Sequence, residues 1–273
     1  MTGLRNLLRG SRPASDGGVD MPPPVPQCPP GWRTGPPDFV GVGVQRTGTT
    51  RWFRLIAAHP EVVKPPAGTK ELHFFDRFHE GGWDEASAAR YHDYFPREEG
   101  RKVGEWTPMY CAAPWIPPLL AAAAPDARLL VLLRDPVERY LSGLQLGREV
   151  AARRGAPLSR YAPLEAFARG LYHAQLATLL RHFAHEQVLV LQYERCAREP
   201  ATELARTFEF IGLEDTAFQP DLERHPRRQK QKPALDARAR AAFVAAYEQD
   251  VKALIEAFPE IDVALWPNFK HLA

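Results

Sequence analysis

The 273-residue chain is long enough for one large domain or two small ones, and with 45% apolar residues it can bury a substantial core. Its 35 basic and 33 acidic side chains leave a net charge of +2, which argues against a nucleic-acid-binding protein, since that needs a marked basic excess or stripe. Three scattered cysteines, Cys28, Cys111 and Cys196, exclude a disulfide framework or a CxxC metal site and read as reduced thiols in a cytoplasmic protein.

In chain order, residues 1–37 read as a flexible proline-rich lead-in, with nine prolines between residues 13 and 37 and almost no apolar periodicity. The opening MTGLRNLLRGSRPAS is basic but lacks the apolar core of a secretory signal. A single folded domain is expected over 38–273. Phe39–Val44 reads as a buried strand, followed by a helix from about Thr49 to Ala58 that stops before His59-Pro60. A short strand is predicted over Lys102–Glu105, then a helix over Ala112–Ala124. That last stretch belongs to an apolar run from Cys111 to Pro125, which is broken by four prolines and is too short to span a bilayer.

Arg128–Leu133 (RLLVLL) is the clearest strand, an unbroken apolar run of the parallel-sheet type, and Pro136 opens the next helix. Helices are predicted over Leu171–His185, Ala201–Ile211 (stopped by Gly212) and Asp236–Phe258, with a strand over Gln187–Gln192. Strands alternating with helices predict an α/β fold, a central parallel sheet flanked by helices.

After the first strand comes Gly43-Val-Gln-Arg-Thr-Gly-Thr-Thr50. A GxxxxG loop between strand and helix turns backbone N–H groups toward an anion. The lysine of a nucleotide-hydrolase loop is replaced by Thr49, so the usual grip on β- and γ-phosphates is missing, while Arg46 supplies charge from within the loop. A second candidate anion site is Arg134 at the carboxyl end of the strongest strand, with Ser142 eight residues on. Pairing of Arg134 with Asp135 or Glu138 is the plain alternative. Between the two lies Lys70-Glu-Leu-His-Phe-Phe-Asp76, which offers a carboxylate, a histidine and a cation within four residues. On an extended segment Glu71 and His73 point to the same side; the plain alternative there is a half-buried strand with Phe74 and Phe75 in the core.

VQRTGTT resembles the 5′-phosphosulfate loop of sulfotransferases that use 3′-phosphoadenosine 5′-phosphosulfate (PAPS). LLVLLRDPVERYLS is similar to their 3′-phosphate motif, and KELHFFD to a segment of the heparan-sulfate (carbohydrate) type and its bacterial relatives. The resemblance implies a P-loop-like sulfotransferase fold over roughly residues 38–269. It implies that Arg46, Thr47, Gly48, Thr49 and Thr50 hold the phosphosulfate, and that Arg134 and Ser142 hold the 3′-phosphate. Glu71 becomes the base, with His73 as the internal alternative, Lys70 lining the site, and Asp76 orienting the base or touching the acceptor. Gly104-Glu-Trp-Thr-Pro-Met-Tyr110 resembles the family's GEKTPxY with Trp106 in place of its lysine; Trp106 becomes a candidate floor of the acceptor pocket, and Arg46 and Lys70 the candidate cations. In the basic run Arg224–Lys232, Arg228 and Lys230 fall on two basic positions of a loop that closes over PAPS.

The reading implied is sulfuryl transfer from PAPS to a hydroxyl, or less readily an amine, of a carbohydrate or small-molecule acceptor. Adenosine 3′,5′-bisphosphate (PAP) is the product, and neither a metal nor a membrane span is expected. Two other readings stay open: a P-loop kinase or nucleoside-triphosphate hydrolase, which magnesium dependence would reveal, and a nucleotide- or polyanion-binding module without catalysis.

Overall fold

Four short strands pair side by side: β1 (Phe39–Gly43), β2 (Gly104–Trp106), β3 (Arg128–Leu133) and β4 (Val188–Gln192). They form a wholly parallel sheet in the order β2-β1-β3-β4. The structure is a computed structural model, and it describes residues 22–222 and 233–273. Nearly every strand residue is buried because helices cover both faces, which is why β1, β3 and β4 read as nearly continuous apolar runs.

Successive side chains leave a strand on opposite faces, and this alternation divides the core in two. Val40, Val42, Leu129, Val131, Val188 and Val190 pack with α3 (Ile116–Ala123), α6 (Tyr172–Leu179) and α9 (Ala237–Ala257). Phe39, Leu130, Leu132, Leu189 and Leu191 pack with α1 (Thr49–Ile56) and α8 (Pro200–Ile211). Each fully buried side chain of this size stabilises the fold by about 1.5–3 kcal/mol.

The strand order decides where a ligand can sit. From β1 the chain goes to β2 on one side, and β3 lies on the other side of β1. The segments that follow β1 and β3 therefore emerge beside each other at the carboxyl ends of the strands, the usual ligand crevice of open α/β sheets.

Four predicted strands are present within two residues of their expected ends. The helix expected over Ala112–Ala124 is shorter: Tyr110–Ala112 is a 3₁₀ turn, and α3 begins at Ile116, where Pro117 and Pro118 fit the first turn. α6 stops at Leu179, well short of His185, and the chain then turns so that Phe183 reaches the core. Helices α2 (Glu85–His92), α4 (Pro136–Arg153), α5 (Ala162–Ala168) and α7 (Tyr193–Arg198) complete the set among the described residues.

The described part of the proline-rich lead-in lies against the domain. Arg33 and Arg97 exchange both backbone hydrogen bonds, at 3.0 and 2.9 Å, and the Tyr94 hydroxyl donates to the Pro23 carbonyl at 2.7 Å. No helix among the described residues is long and apolar enough to cross a membrane.

Candidate active site

The loop after β1 is shaped by two residues in the left-handed region, Arg46 (φ 76°) and Gly48 (φ 100°). Gly48 is the N-cap of α1, and a side chain there would also press on the Tyr193 ring, 3.1 Å from an added Cβ. Buried Thr47 closes the loop by donating from its hydroxyl to the Val44 carbonyl at 2.8 Å. No side chain caps α1, and its first turn, beginning at Thr49 and Thr50, carries no acidic residue. The positive end of the helix is thus left for an external anion.

Arg46 leaves this loop and donates from Nε to the Ser142 hydroxyl at 3.1 Å, which joins two motifs 96 residues apart. Burial lowers the Arg46 pKa; Glu149 opposes the shift, and the positive charges of Arg134 and Arg139 add to it. Arg134, just beyond β3, lays its guanidinium over the Tyr193 ring at 4.5 Å, and its Nε is buried without a hydrogen-bond partner among the described residues. The alternative pairing of Arg134 with Asp135 or Glu138 does not form. Asp135 instead caps α4 by accepting from the Val137 and Glu138 amides, and also accepts from Asn268, while Glu138 meets Arg240 at 3.3 Å.

The turn carrying Arg134 is held from behind. Glu194 accepts from the Asp135 amide and from the Trp266 indole, both at 3.2 Å, and burial pushes its pKa up to about 7. Arg139, one turn before Ser142 on α4, is fully buried; it donates to the Ala166 carbonyl, while Nε and Nη1 have no partner among the described residues. Sequence reasoning gave a site role to neither Arg139 nor Tyr193. The signals were an arginine on the same helical face as Ser142 and an aromatic residue immediately after a strand.

The Lys70–Asp76 segment is not extended. His73 adopts φ 52°, and this turn folds its ring back against Glu71. His73 Nε2 faces Glu71 Oε2 at 3.3 Å and Nδ1 faces Asp76 Oδ2 at 2.8 Å, while Lys70 Nζ donates to Glu71 Oε1 at 2.5 Å. Burial alone would raise Glu71, but hydrogen bonds and charge from His73 and Lys70 hold it down to about 2. Burial alone would lower His73, but Asp76 and Glu71 raise it to about 10. An imidazole with a carboxylate at each nitrogen keeps both protons, so of the pair only the Glu71 carboxylate has free lone pairs. Its side chain stays 28% exposed, so a substrate hydroxyl can reach it.

Trp106 corrects one expectation, because it does not floor an acceptor pocket. Its indole is fully buried against β1, on Gly41, where any Cβ would lie 2.0 Å from the ring, and it donates to the Gly43 carbonyl at 3.1 Å. Lys70 Nζ occupies the space at this residue's backbone instead, donating to the Trp106 carbonyl at 3.0 Å. Arg228 and Lys230 lie outside the described residues. A cavity of about 590 Å³ opens at the opposite end of α1, lined by Trp32, His59 and Arg101 among others, and holds none of the candidate site residues. Among the described residues no cluster of three or more His, Cys, Asp or Glu side chains could hold a metal.

The sulfotransferase domain family matches residues 36–232. Heparan sulfate glucosamine 3-O-sulfotransferase 3A1 of Mus musculus is 34% identical over 191 residues, 65% of this chain and 46% of that protein. Heparan sulfate glucosamine 3-O-sulfotransferase 6 of Homo sapiens is 34% identical over 196 residues, 67% of this chain and 54% of its own length. The chain thus spans about half the length of the curated relatives it matches. A solved sulfotransferase from Alicyclobacillus acidocaldarius superposes with a TM-score of 0.66 at 25% identity, over 84% of this chain and 98% of that one.

Proposed function

The chain belongs to the sulfotransferase domain family, and on that premise we propose that it moves a sulfuryl group from PAPS to a hydroxyl of a carbohydrate acceptor. The observation that carries the proposal is the meeting of Arg46 and Ser142 at 3.1 Å, with Arg134 beside them and unpaired by Asp135 or Glu138. Cations gathered in a partly buried place without a salt bridge among the described residues are costly, even with the charges of Glu149 and Glu194 in range, and a bound anion offsets that cost. In this reading the loop amides with Arg46, Thr47, Gly48, Thr49 and Thr50 take the phosphosulfate end, and Arg134 and Ser142 take the 3′-phosphate.

The acceptor hydroxyl attacks sulfur in line. Its proton goes to Glu71, the bond between sulfur and the bridging phosphate oxygen breaks, and PAP leaves with the electron pair. His73, fixed by Asp76, holds the Glu71 carboxylate in place. Lys70 and Arg46 supply positive charge toward the transferring group, in the role a lysine at position 106 would otherwise fill. The relatives' names support a sugar hydroxyl as acceptor. Free thiols at Cys28, Cys111 and Cys196 suit a reducing compartment, and we place the protein in the cytoplasm.

The test is calorimetric binding of PAP without magnesium to the wild type and to Arg134→Ala. Micromolar binding that weakens at least tenfold (about 1.4 kcal/mol) on substitution is the expected result. Absence of wild-type binding, or a magnesium-dependent preference for ATP, would overturn the reading and restore the kinase alternative.

A further inference from the structure

Lys70–Asp76 begins as though to pair with β2, since the Trp106 amide donates to the Lys70 carbonyl at 2.7 Å. The segment then departs from the strand at the left-handed His73. Beyond that turn the His73 ring lies against the Glu71 carboxylate, Nε2 to Oε2 at 3.3 Å. Holding that turn leaves the Leu72, His73 and Phe74 amides without a strand to bond to, and buried amides must find acceptors.

All three acceptors come from side chains of one short stretch. The Leu72 amide donates to Glu105 Oε2 at 3.2 Å and to Thr107 Oγ1 at 3.0 Å, and the His73 amide approaches Thr107 Oγ1 at 3.4 Å. The Phe74 amide donates to the Tyr110 hydroxyl at 3.0 Å. Behind them, Thr107 donates its own proton to Glu105 Oε2 at 2.6 Å, and Tyr91 donates to Glu105 Oε1 at 2.8 Å. Glu105, Thr107, Tyr91 and Tyr110 are all fully buried, and Glu105 has no ion-pair partner among the described residues. A carboxylate in such a place is expensive and is poorly explained by packing, which an apolar side chain would do better.

We infer that Glu105, Thr107 and Tyr110 are positioning residues: they hold the backbone of residues 72–74 so that His73 clamps Glu71. The inference rests on the proposed role of Glu71 as base. The network acts through the turn and touches neither donor nor acceptor.

Thr107→Val keeps the shape and removes the acceptor of two amides. The measurement is the His73 imidazole titration by long-range ¹H–¹⁵N NMR, assigned with His73→Gln, alongside calorimetric PAP binding. In the wild type the His73 midpoint is expected near 10. In Thr107→Val it should fall toward the ordinary histidine value by at least about one unit, with PAP affinity unchanged within about twofold, and Thr107→Ser should restore it. Tyr110→Phe, which loses only the acceptor of Phe74, should shift the midpoint the same way and serves if Thr107→Val does not fold. An unchanged His73 titration in the folded variants would overturn the inference, as would a parallel loss of PAP binding. Failure of the wild type to bind PAP sinks the sulfotransferase reading instead, and leaves the His73 shift as a separate result.

Discussion

The two halves of the site are built on opposite electrostatic plans. On the donor side Arg46 meets Ser142 with Arg134 close enough to repel it, and these two arginines form no salt bridge among the described residues; Glu149 and Glu194 act on them only through their charge, while Asp135 and Glu138 are engaged elsewhere. On the acceptor side the charged side chains of the Lys70–Asp76 segment are paired with one another: Lys70 and His73 face Glu71, and Asp76 faces His73. An unbalanced cluster attracts a charged ligand, whereas a balanced one orients its members and gives up a proton position only when a substrate enters. The first plan therefore suits binding and the second suits chemistry.

The sharpest way to break this division is to remove the carboxylate. Glu71→Gln preserves shape and hydrogen bonds to Lys70 but cannot accept a proton. It should reduce PAPS-dependent turnover by about 10²–10⁴-fold, assayed by PAP release with desulfated heparan-type oligosaccharides, and leave PAP affinity unchanged. Equal losses of turnover and affinity would mean that the two halves are not separate. Arg46→Ala should do the reverse at the binding step. PAP affinity should fall about tenfold or more, with a weaker salt dependence than the wild type, since one cation fewer draws the anion in. A smaller effect is expected from Tyr193→Leu, which removes the ring under Arg134. Loss of an interaction of about 0.5–1 kcal/mol should weaken PAP binding only a few-fold by calorimetry.

The proposed donor half could be picked out as a candidate in the sequence because its information is local. A glycine loop between a strand and a helix, and an arginine and serine eight residues apart, state their chemistry in one dimension. Their meeting follows once the order of strands is known, since β1 and β3 are neighbours. The sheet was legible for the same reason: RLLVLL and FVGVGV are apolar runs with no other use.

The acceptor half was only partly legible. Glu71, His73 and Asp76 were singled out as candidates and the fold brings them together, but the extended geometry expected for them gave way to a left-handed turn at a non-glycine residue, which no local pattern announces. Nor does Gly-Glu-Trp-Thr-Pro-Met-Tyr reveal that its Glu, Thr and Tyr side chains replace a β-ladder for a segment over 30 residues earlier. Trp106 drew attention as an aromatic residue in a catalytic motif, yet on this short strand it points into the core. Helix α2 was overlooked although Asp84 and Ser87 form a capping box, because the usual signature ends in Glu or Gln.

The last test probes the balance of the acceptor half without any ligand. His73 is raised to about 10 in the folded protein, against about 6.5 in an unfolded chain. Its contribution to stability is fully present below about pH 6.5 and is lost as the pH climbs through about 10. Glu71, held to about 2, has the opposite sense: its contribution is present above about pH 4.5 and lost as the pH falls through about 2. The thermal midpoint of the wild type should therefore decline from pH 6.5 to 10 by more than that of His73→Gln, which has no imidazole proton to lose. For a chain of this size each kcal/mol is worth about 2–4 °C, within reach of scanning calorimetry. Arg46→Ala, which alters only the donor side, should run parallel to the wild type over this range. If His73→Gln also runs parallel, His73 carries no extra proton and the two halves do not differ in charge balance. If only the histidine variant flattens, the pH dependence belongs to the clamp around Glu71 and not to the arginines across the crevice.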